Sequence, residues 1–448
     1  MDLGYFSQRS GMVKVLFLSA SDADGGATAW FLNLAKTLHN NDNFDVAVIV
    51  KSKISFLDYV FSIRPASQKK NLFTRLVRIF TRPKRDLFFD SKPNYCFFPE
   101  DTELKRYVSA EEIIKVCPFC PDIIVSGLTY GFVNTNTLSD LHNYWNAPVF
   151  MTAYDANAYT GGCHVLCKCR GFEESCENCP GISASTRKRE VAISYDIKKK
   201  NISSAKIGVL YASAWSLDNI KRSSCFAHSL AFDIGMCINT DLYTNTNRDI
   251  AKQVFNLPSS CLMIFAGAVN LKEERKGSVY FIKSLTYLWD FLPKGIRERV
   301  CIMMAGNNIH SLDAFSAELP PFQYKFIDFI SDVRLLSLAY QAAEVFVCSS
   351  LEDAGPMMAA EALSCGTPVV GFPVGLLYGQ TVIRNASTGY VVESESSSQL
   401  AEAVAKILML GESDFHIMSE ECRNTAVQIL SREAFISNFT HLAQCLRG

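Results

Sequence analysis

The strongest chemical signal in this sequence is a predicted helix start with two carboxylates nearby. It lies in SSLEDAGPMMAAEALSCGTPVV, residues 349–370, where Pro356 stands at the expected first helical position. Free backbone amides at such a position form an anion site that suits a diphosphate. The amides concerned belong to Gly355, Met357 and Met358.

The two carboxylates of this segment are Asp353, just before the helix, and Glu361, two turns inside it. A carboxylate aimed at a diphosphate would repel it, so both side chains are expected to accept hydrogen bonds from sugar or ribose hydroxyls. The alternative is that Asp353 only caps the helix and Glu361 lies on the surface. The pattern by itself leaves both interpretations open.

A positive partner for a diphosphate stands in GAVNLKEERKGSVYFIKSL, residues 267–285, where a charged turn precedes another predicted helix. Lys276 can reach a pyrophosphate as a point charge, and Arg275 can add a fork of donors. The alternative is a solvated turn. The glycine pair Gly25 and Gly26 marks a second candidate ligand site. Glycines there either let the backbone approach a ligand closely or merely turn the chain.

The segment TGGCHVLCKCRGFEESCENCPG, residues 160–181, contains five cysteines. Four of them have the spacing C-x5-C-x6-C-x2-C, which suits a closed tetrahedral zinc site that braces a long loop. They are Cys163, Cys169, Cys176 and Cys179. Free thiols, disulfides and a contribution from Cys117-x2-Cys120 remain alternatives. A catalytic zinc is not expected, because four protein ligands leave no open position.

Strand, turn and helix patterns repeat along the chain in the order typical of doubly wound parallel sheets. They predict an N-terminal Rossmann-like domain over residues 1–205 and a second over 206–425, with a final helix in 426–448 that packs back toward the first domain. The first domain includes an insertion at 52–106 and the cysteine-rich loop at 160–181. Ligands of such sheets bind at the carboxyl ends of the strands, where the candidate residues lie.

Composition narrows the class of protein. The chain has 448 residues and a net charge of −1, so nothing global attracts nucleic acid. It carries no secretory signal pattern and no apolar run long enough for a membrane span, which predicts a reduced, cytoplasmic protein despite 16 cysteines. A basic amphipathic segment at 69–85 is of the kind that lies on an anionic membrane surface, or it is a solvated insertion.

Together these motifs resemble the retaining, nucleotide-sugar-dependent glycosyltransferases of family four, which have the two-domain GT-B fold with a central cleft and a C-terminal crossover helix. The motifs are SDADGGATAWFLNLAKTL, RKGSVYFIKSL and the acidic block SLEDAGPMMAAEALSCGTPVV. YDANAYTGGCH followed by CENCP resembles the subgroup that builds bacterial surface polysaccharides such as colanic acid and O-antigen.

The resemblance implies a role for each site residue. Glu361 would bind the donor ribose, Asp353 the transferred sugar and Lys276 the diphosphate. Donor-side contacts would also come from Arg275, Gly355, Met357, Met358 and Gly375, and acceptor-side contacts from Gly25, Gly26, Tyr154 and Asp155. The implied partners are a nucleotide-diphosphate sugar and a glycan or lipid-linked acceptor, and no cofactor is needed for catalysis.

The sequence departs from the family pattern near the predicted pocket. Tyr154 replaces a histidine that contacts the donor sugar, and Ala268 replaces an arginine. The family's second phosphate-side glycine pair is Gly375-Leu376 here. The alternative function is therefore a degenerate GT-B protein that binds a nucleotide sugar, or supports a partner enzyme, without turnover.

Overall fold

The structure is a computed structural model that describes residues 11–22, 26–64, 95–98, 100–307 and 319–447. Contacts divide the chain into two compact units. The first unit contains the chain up to Ala212, then Ser216–Ile234 and, from Ile436 onward, the C-terminal residues. The second contains Ser213–Trp215 and Gly235–Phe435. Gly25 and the basic segment 69–85 lie outside the described residues.

A seven-stranded parallel sheet forms the core of the first unit, in the order β3-β2-β1-β4-β5-β6-β7. Its strands are β1 Val13–Ser21, β2 Phe44–Ser52, β3 Val60–Arg64, β4 Ile123–Ser126, β5 Val149–Thr152, β6 Gly208–Tyr211 and β7 Ala231–Asp233. The helices along this part of the chain are α1 Gly26–His39, α2 Ala110–Val116, α3 Thr135–Trp145, α4 Ser185–Ser204 and α5 Ala214–Arg222. The central strands read as apolar runs because parallel sheets are buried on both faces.

A six-stranded parallel sheet forms the core of the second unit, in the order β10-β9-β8-β11-β12-β13. Its strands are β8 Leu262–Asn270, β9 Val300–Asn307, β10 Gln323–Ile327, β11 Val345–Cys348, β12 Val369–Gly371 and β13 Gly389–Val391. The helices are α6 Arg248–Val254, α7 Ser278–Phe291, α8 Lys294–Arg297, α9 Val333–Ala342, α10 Met357–Ser364, α11 Ser397–Leu408, α12 Glu412–Thr425 and α13 Arg432–Cys445.

The prediction of two Rossmann-like domains is confirmed, since both sheets have the doubly wound strand order. In each sheet the order reverses between the first and fourth strands of the unit, which are β1 and β4 in one and β8 and β11 in the other. Ligands of open parallel sheets bind at the carboxyl ends of the strands beside this switch point. The switch point of the second sheet therefore indicates where to look for a ligand site.

The boundary between the units lies at Ile234 and Gly235, not at the predicted 205/206. The sequence suggested that the strand beginning near residue 206 opens the second domain. Instead β6 pairs in parallel with β5, and Gly208 faces Phe150 so closely that a Cβ would lie 2.5 Å from its ring. A β-α-β pattern looks the same whether it extends one sheet or starts another, so periodicity alone misplaced the boundary.

The last helix, α13, begins in the second unit, and its residues from Ile436 onward belong to the first unit. Phe439 packs edge-on against Phe44 of β2, with ring centroids 5.7 Å apart. Within the described residues, no helix has the length and apolar content needed to cross a membrane.

Candidate functional site

The loops that follow β8 and β11 meet at the switch point of the second sheet. The Ser349 hydroxyl donates to the Lys276 carbonyl at 2.9 Å, and the Leu351 amide donates to the Arg275 carbonyl at 2.7 Å. These bonds tie the charged turn at 274–276 to the loop that leads into α10. Lys276 and Asp353, which are 77 positions apart in sequence, are thereby placed in contact.

Lys276 and Asp353 form an ion pair in which Lys276 Nζ lies 2.6 Å from Asp353 Oδ2. The two side chains are 19% and 16% exposed, so the pair is largely shielded from solvent. Burial raises the pKa of Asp353, but Lys276, with a further effect from Arg275, outweighs it and holds that pKa below its usual value. Asp353 is therefore ionised at neutral pH, and Lys276 keeps two N–H donors beyond the one in this pair.

The start of α10 lies beside this ion pair. The sequence predicts a free Gly355 amide, but in the structure this amide donates to Asp353 Oδ1 at 3.3 Å. The amides of Met357 and Met358 have no acceptor in the part of the chain that the structure describes. Both residues are partly exposed, whereas Gly355 and Pro356 are buried. The anion site predicted at this helix start is thus reduced to two available amides.

Two glycines allow the loops around the pair to approach one another. Gly375 has φ +52°, and a Cβ there would lie 2.3 Å from Pro356 Cδ and 2.9 Å from the Asp353 carbonyl oxygen. Gly277, which precedes α7, has φ +62°, and a Cβ there would lie 1.9 Å from the Ser349 carbonyl oxygen. Both positions require glycine, because the backbone is left-handed there and a Cβ would clash with its neighbours.

Gly277→Ala is expected to destabilise the protein by about 3 kcal/mol, because it combines a strained φ with a clash against backbone. Urea denaturation followed by circular dichroism measures the change. Gly295→Ala in α8 is the matched control, since no atom lies within 4 Å of a Cβ at that site, and it should leave stability nearly unchanged. Equal midpoints for the two variants would contradict the packing described for Gly277.

Arg275 lies in the same turn but points its charge elsewhere. Its Nη2 atom lies 2.7 Å from Glu273 Oε2, and about a third of each side chain is exposed. Its effect on the pKa of Asp353 shows that it still contributes positive potential to the ion pair. Arg275 and Lys276 lie in the same turn but have different partners, since Arg275 pairs with Glu273 and Lys276 pairs with Asp353.

Glu361 lies within α10 and accepts hydrogen bonds on both carboxylate oxygens. The Tyr243 hydroxyl donates to Oε1 at 2.9 Å, and the Tyr340 hydroxyl donates to Oε2 at 2.8 Å. Burial raises the pKa of Glu361 to about 7, although both tyrosine hydrogen bonds oppose the rise. Glu361 is therefore not a solvated surface carboxylate, and part of its population is protonated at neutral pH.

Neither tyrosine was among the residues predicted from sequence. Tyr340 lies in α9 and Tyr243 in the segment before α6, 21 and 118 positions from Glu361. Tyr340 stands in VRLLSLAYQA, a mostly apolar helix whose pattern reads as core packing. Only its fully buried hydroxyl, which needs an acceptor, distinguishes it from a phenylalanine.

In the first unit, Gly26 begins α1, and Tyr154 follows β5. The Tyr154 ring stacks on Trp30 of α1, with centroids 4.3 Å apart and planes 18° apart. Tyr154, at the position where the resembled family has a histidine, is therefore packed against α1. Trp30 had not been singled out in the sequence.

Asp155 belongs to a buried acidic cluster with a histidine. His164 Nδ1 lies 2.7 Å from Asp155 Oδ2, and His164 Nε2 lies 2.6 Å from Asp101 Oδ2. Burial lowers the pKa of His164, but the two carboxylates outweigh it and raise that pKa well above its usual value. Asp155 Oδ1 also accepts from the Asn157 amide at 2.8 Å. Asp155 thus supports the loop after β5 through both of its oxygens.

The four cysteines with zinc-like spacing line one small apolar cavity together with Phe97, Thr160, Gly161, Leu166, Gly171, Phe172 and Val191. All four are free thiols. Burial raises the pKa of Cys163 well above its usual value and that of Cys176 to about 12. No group of three or more His, Cys, Asp or Glu side chains in the described ranges is arranged to hold a metal ion. The thiols therefore converge without forming a ready coordination set.

Comparison with known proteins supports the fold and part of the family assignment. Residues 261–409 match the family model for glycosyl transferases group 1. A D-inositol 3-phosphate glycosyltransferase of Geodermatophilus obscurus is 38% identical over 76 residues, which is 17% of this chain and 16% of that protein. D-inositol 3-phosphate glycosyltransferase 1 of Catenulispora acidiphila is 26% identical over 180 residues, which is 38% of this chain and 41% of that protein. The chain thus matches less than half the length of each.

Solved structures are similar over nearly the whole chain. WaaG, a glycosyltransferase involved in lipopolysaccharide biosynthesis, has a TM-score of 0.59 at 16% identity, with 97% of this chain and 100% of that one covered. Anabaena HepE in complex with UDP and glucose has a TM-score of 0.59 at 14% identity, with the same coverage. The chain therefore has the two-domain Rossmann-like fold of GT-B glycosyltransferases, and its residues 261–409 match the group 1 glycosyl transferase model.

Proposed function

We propose that the protein is a glycosyltransferase that moves a sugar from a nucleotide-diphosphate sugar to a glycan or lipid-linked acceptor. The observation that carries this proposal is the largely buried Lys276–Asp353 pair beside the start of α10, at the switch point of the second sheet. The match of this region to group 1 glycosyl transferases agrees with it. HepE, which was solved in complex with UDP and glucose, supports a nucleotide sugar as the donor class.

The residues have distinct roles in the proposed donor complex. The two remaining N–H donors of Lys276 and the amides of Met357 and Met358 bind the diphosphate. Asp353 orients Lys276 and accepts from a hydroxyl of the transferred sugar. Glu361 accepts from the ribose hydroxyls. The ion pair with Asp353 holds the ammonium in place before the donor arrives, so less side-chain entropy is lost on binding.

The chemical step is a substitution at the anomeric carbon of the donor sugar, with retention of configuration. The acceptor oxygen bonds to this carbon, the bond from the carbon to the diphosphate oxygen breaks, and its electron pair leaves with the diphosphate. The acceptor proton passes to a diphosphate oxygen, so no side-chain base is required. Lys276 and the helix amides stabilise the charge that develops on the leaving group.

A panel of nucleotide sugars tests the proposal. UDP-glucose, UDP-galactose, UDP-N-acetylglucosamine, ADP-glucose and GDP-mannose are each mixed with purified protein and a lipid-linked glycan extract, and release of nucleoside diphosphate is measured. Release that depends on the extract is expected for one donor. Nuclear magnetic resonance of the product should show the anomeric configuration of the donor. Failure of every donor to bind would refute the proposal.

One observation favours the alternative function. Tyr154 replaces the sugar-contacting histidine of the resembled family and is held by stacking on Trp30. A protein altered in this way that binds a nucleotide sugar without turnover would show a dissociation constant by calorimetry but no release of nucleoside diphosphate. The same panel therefore separates the enzyme from a binding protein. A surface-polysaccharide role, a cytoplasmic location and membrane contact through 69–85 remain proposals.

We also propose that Cys163, Cys169, Cys176 and Cys179 hold a structural zinc ion. The support is their convergence on one cavity in a loop whose only regular elements are two short 3₁₀ turns, Ala156–Tyr159 and Gly171–Glu173. Binding requires rotation of the thiol side chains and loss of their protons.

Elemental analysis of protein purified without chelators is expected to find about one zinc ion per chain. Cys176→Ser and Cys179→Ser should each lower the zinc content and the thermal midpoint. Cys445→Ser, at an exposed cysteine near the C-terminus, is the control and should change neither. Zinc content below about half an equivalent in the wild type would count against the site.

A further inference from the structure

We propose that Tyr243 and Tyr340 are positioning residues that hold the Glu361 carboxylate in the orientation that binds the donor ribose. This inference rests on the proposed donor role of Glu361 and adds two residues to that site. Each tyrosine donates to a different carboxylate oxygen, at 2.9 and 2.8 Å. Two donors from separate segments fix both the direction and the plane of the carboxylate.

The carboxylate retains capacity for a ligand in this arrangement. An ionised carboxylate offers about four acceptor positions, and the tyrosines use two of them. The remaining two match the paired hydroxyls of a ribose ring, each of which can donate one hydrogen bond. The tyrosines therefore leave room for the sugar while removing rotational freedom that the carboxylate would otherwise lose on binding.

The tyrosines are held rigidly by their surroundings. Tyr340 is fully buried, and its ring contacts Phe265 and Phe346 with centroids 5.3 and 5.6 Å away. The Tyr243 carbonyl accepts from Arg423 Nη1 at 2.6 Å, which anchors the segment that carries this ring. Because neither hydroxyl can move far, the carboxylate orientation is set by the fold of the second unit and not by the ligand.

The charge environment of Glu361 does not resemble that of a structural ion pair. In the described portion of the chain, Glu361 forms no salt bridge, and its hydrogen-bond donors are neutral. Nη1 of Arg423 in α12 donates hydrogen bonds to the carbonyls of Thr240, Tyr243 and Ser364. A buried carboxylate without a cation reduces stability, which a purely structural position would avoid.

This arrangement makes donor binding depend on pH. The titratable groups that interact with Glu361 are Tyr340 from α9, Tyr243 and Cys365, which caps the C-terminus of α10. Arg423 from α12 interacts with Cys365 and donates to the Ser364 carbonyl. Burial leaves the pKa of Glu361 at about 7. The protonated form loses acceptor positions, so donor affinity should fall as pH drops below about 7. Removing a tyrosine hydroxyl should raise this midpoint, since each hydroxyl stabilises the ionised form.

Tyr340→Phe and Tyr243→Phe test the inference. Binding of the panel donor with the highest wild-type affinity is measured by calorimetry from pH 5.5 to 8.5, where its doubly esterified diphosphate keeps a constant charge. Each variant is expected to bind about tenfold more weakly at pH 8, with the midpoint of the pH profile raised by roughly one unit. Tyr324→Phe, which removes a hydroxyl bonded to the Pro320 carbonyl, is the matched control and should match wild type.

A double variant separates positioning from packing. If Tyr340 acts through Glu361, then Tyr340→Phe should have no further effect on affinity once Glu361→Gln is present. Additive losses would overturn the inference, and so would an unchanged pH midpoint in both tyrosine variants. If no panel donor binds the wild type, the proposed function fails and the tyrosine role falls with it. If the donor binds Tyr340→Phe and Tyr243→Phe as it binds the wild type, while Glu361→Gln weakens binding, only the tyrosine role fails.

Discussion

Glu361→Gln should abolish most donor binding at pH 8, with affinity reduced about 100-fold, while making the folded protein more stable. The amide keeps the size of the side chain and can still bond both tyrosines, one as donor and one as acceptor. The amide has only one oxygen, so it cannot accept from both ribose hydroxyls as the two carboxylate oxygens would. Charged hydrogen bonds are worth about 1.5–3 kcal/mol each, so the loss of one or two accounts for this factor.

The stability effect has a definite sign. The folded pKa of Glu361 is about 7, above its ordinary value of 4.5, so the folded state binds this proton more tightly than the unfolded state. The free energy of unfolding therefore falls as pH rises between these two values. At pH 8 the native protein bears the full cost of the buried charge, and Glu361→Gln should recover about 1–3 kcal/mol.

Urea denaturation at pH 5 and pH 8 measures this effect. The gain from Glu361→Gln should be largest at pH 8 and nearly absent at pH 5, where the wild-type side chain is mostly protonated. Glu402→Gln, at an exposed residue of α11 paired with Lys406, is the control and should show a small effect of the same size at both values. An equal gain at both values for Glu361→Gln would contradict the assigned cause.

Lys276→Ala should reduce sugar transfer by a factor of about 100 to 1,000, because in the proposed reaction it removes the positive charge that stabilises the leaving diphosphate. It should also destabilise the fold by about 2 kcal/mol, since it leaves the largely buried Asp353 without its cation. Lys272→Ala, at an exposed lysine in the same loop, is the matched control and should retain transfer and stability.

A double variant distinguishes the two effects of Lys276. In Lys276→Met with Asp353→Asn, the unpaired charge is gone, so most of the stability should return while transfer stays lost. The lowered pKa of Asp353 means that the ion pair contributes stability above the ordinary pKa of an aspartate and loses it as pH falls through the lowered folded value. Recovery of transfer in the double variant would exclude Lys276 from the chemical step.

The amino-acid sequence by itself determined the class of fold and the approximate place of the site. Short apolar runs followed by turns and amphipathic helices dictate parallel α/β units, because only such strands are buried on both faces. Pro356 and the charged turn at Lys276 mark loops after strands, and local chemistry suffices to recognise them. Since strand order follows general rules, these loops were expected at the ligand-binding edge.

Only the tertiary structure decided which side chains meet there. Lys276 and Asp353 stand 77 positions apart and Tyr243 and Glu361 stand 118 apart, and nothing in local periodicity encodes either contact. The assignment of β6 to the first sheet also depends on pairing with β5. Burial sets the pKa of Glu361, and the close approach of the Ser349 carbonyl makes glycine necessary at position 277. Both depend on neighbours that are distant in sequence.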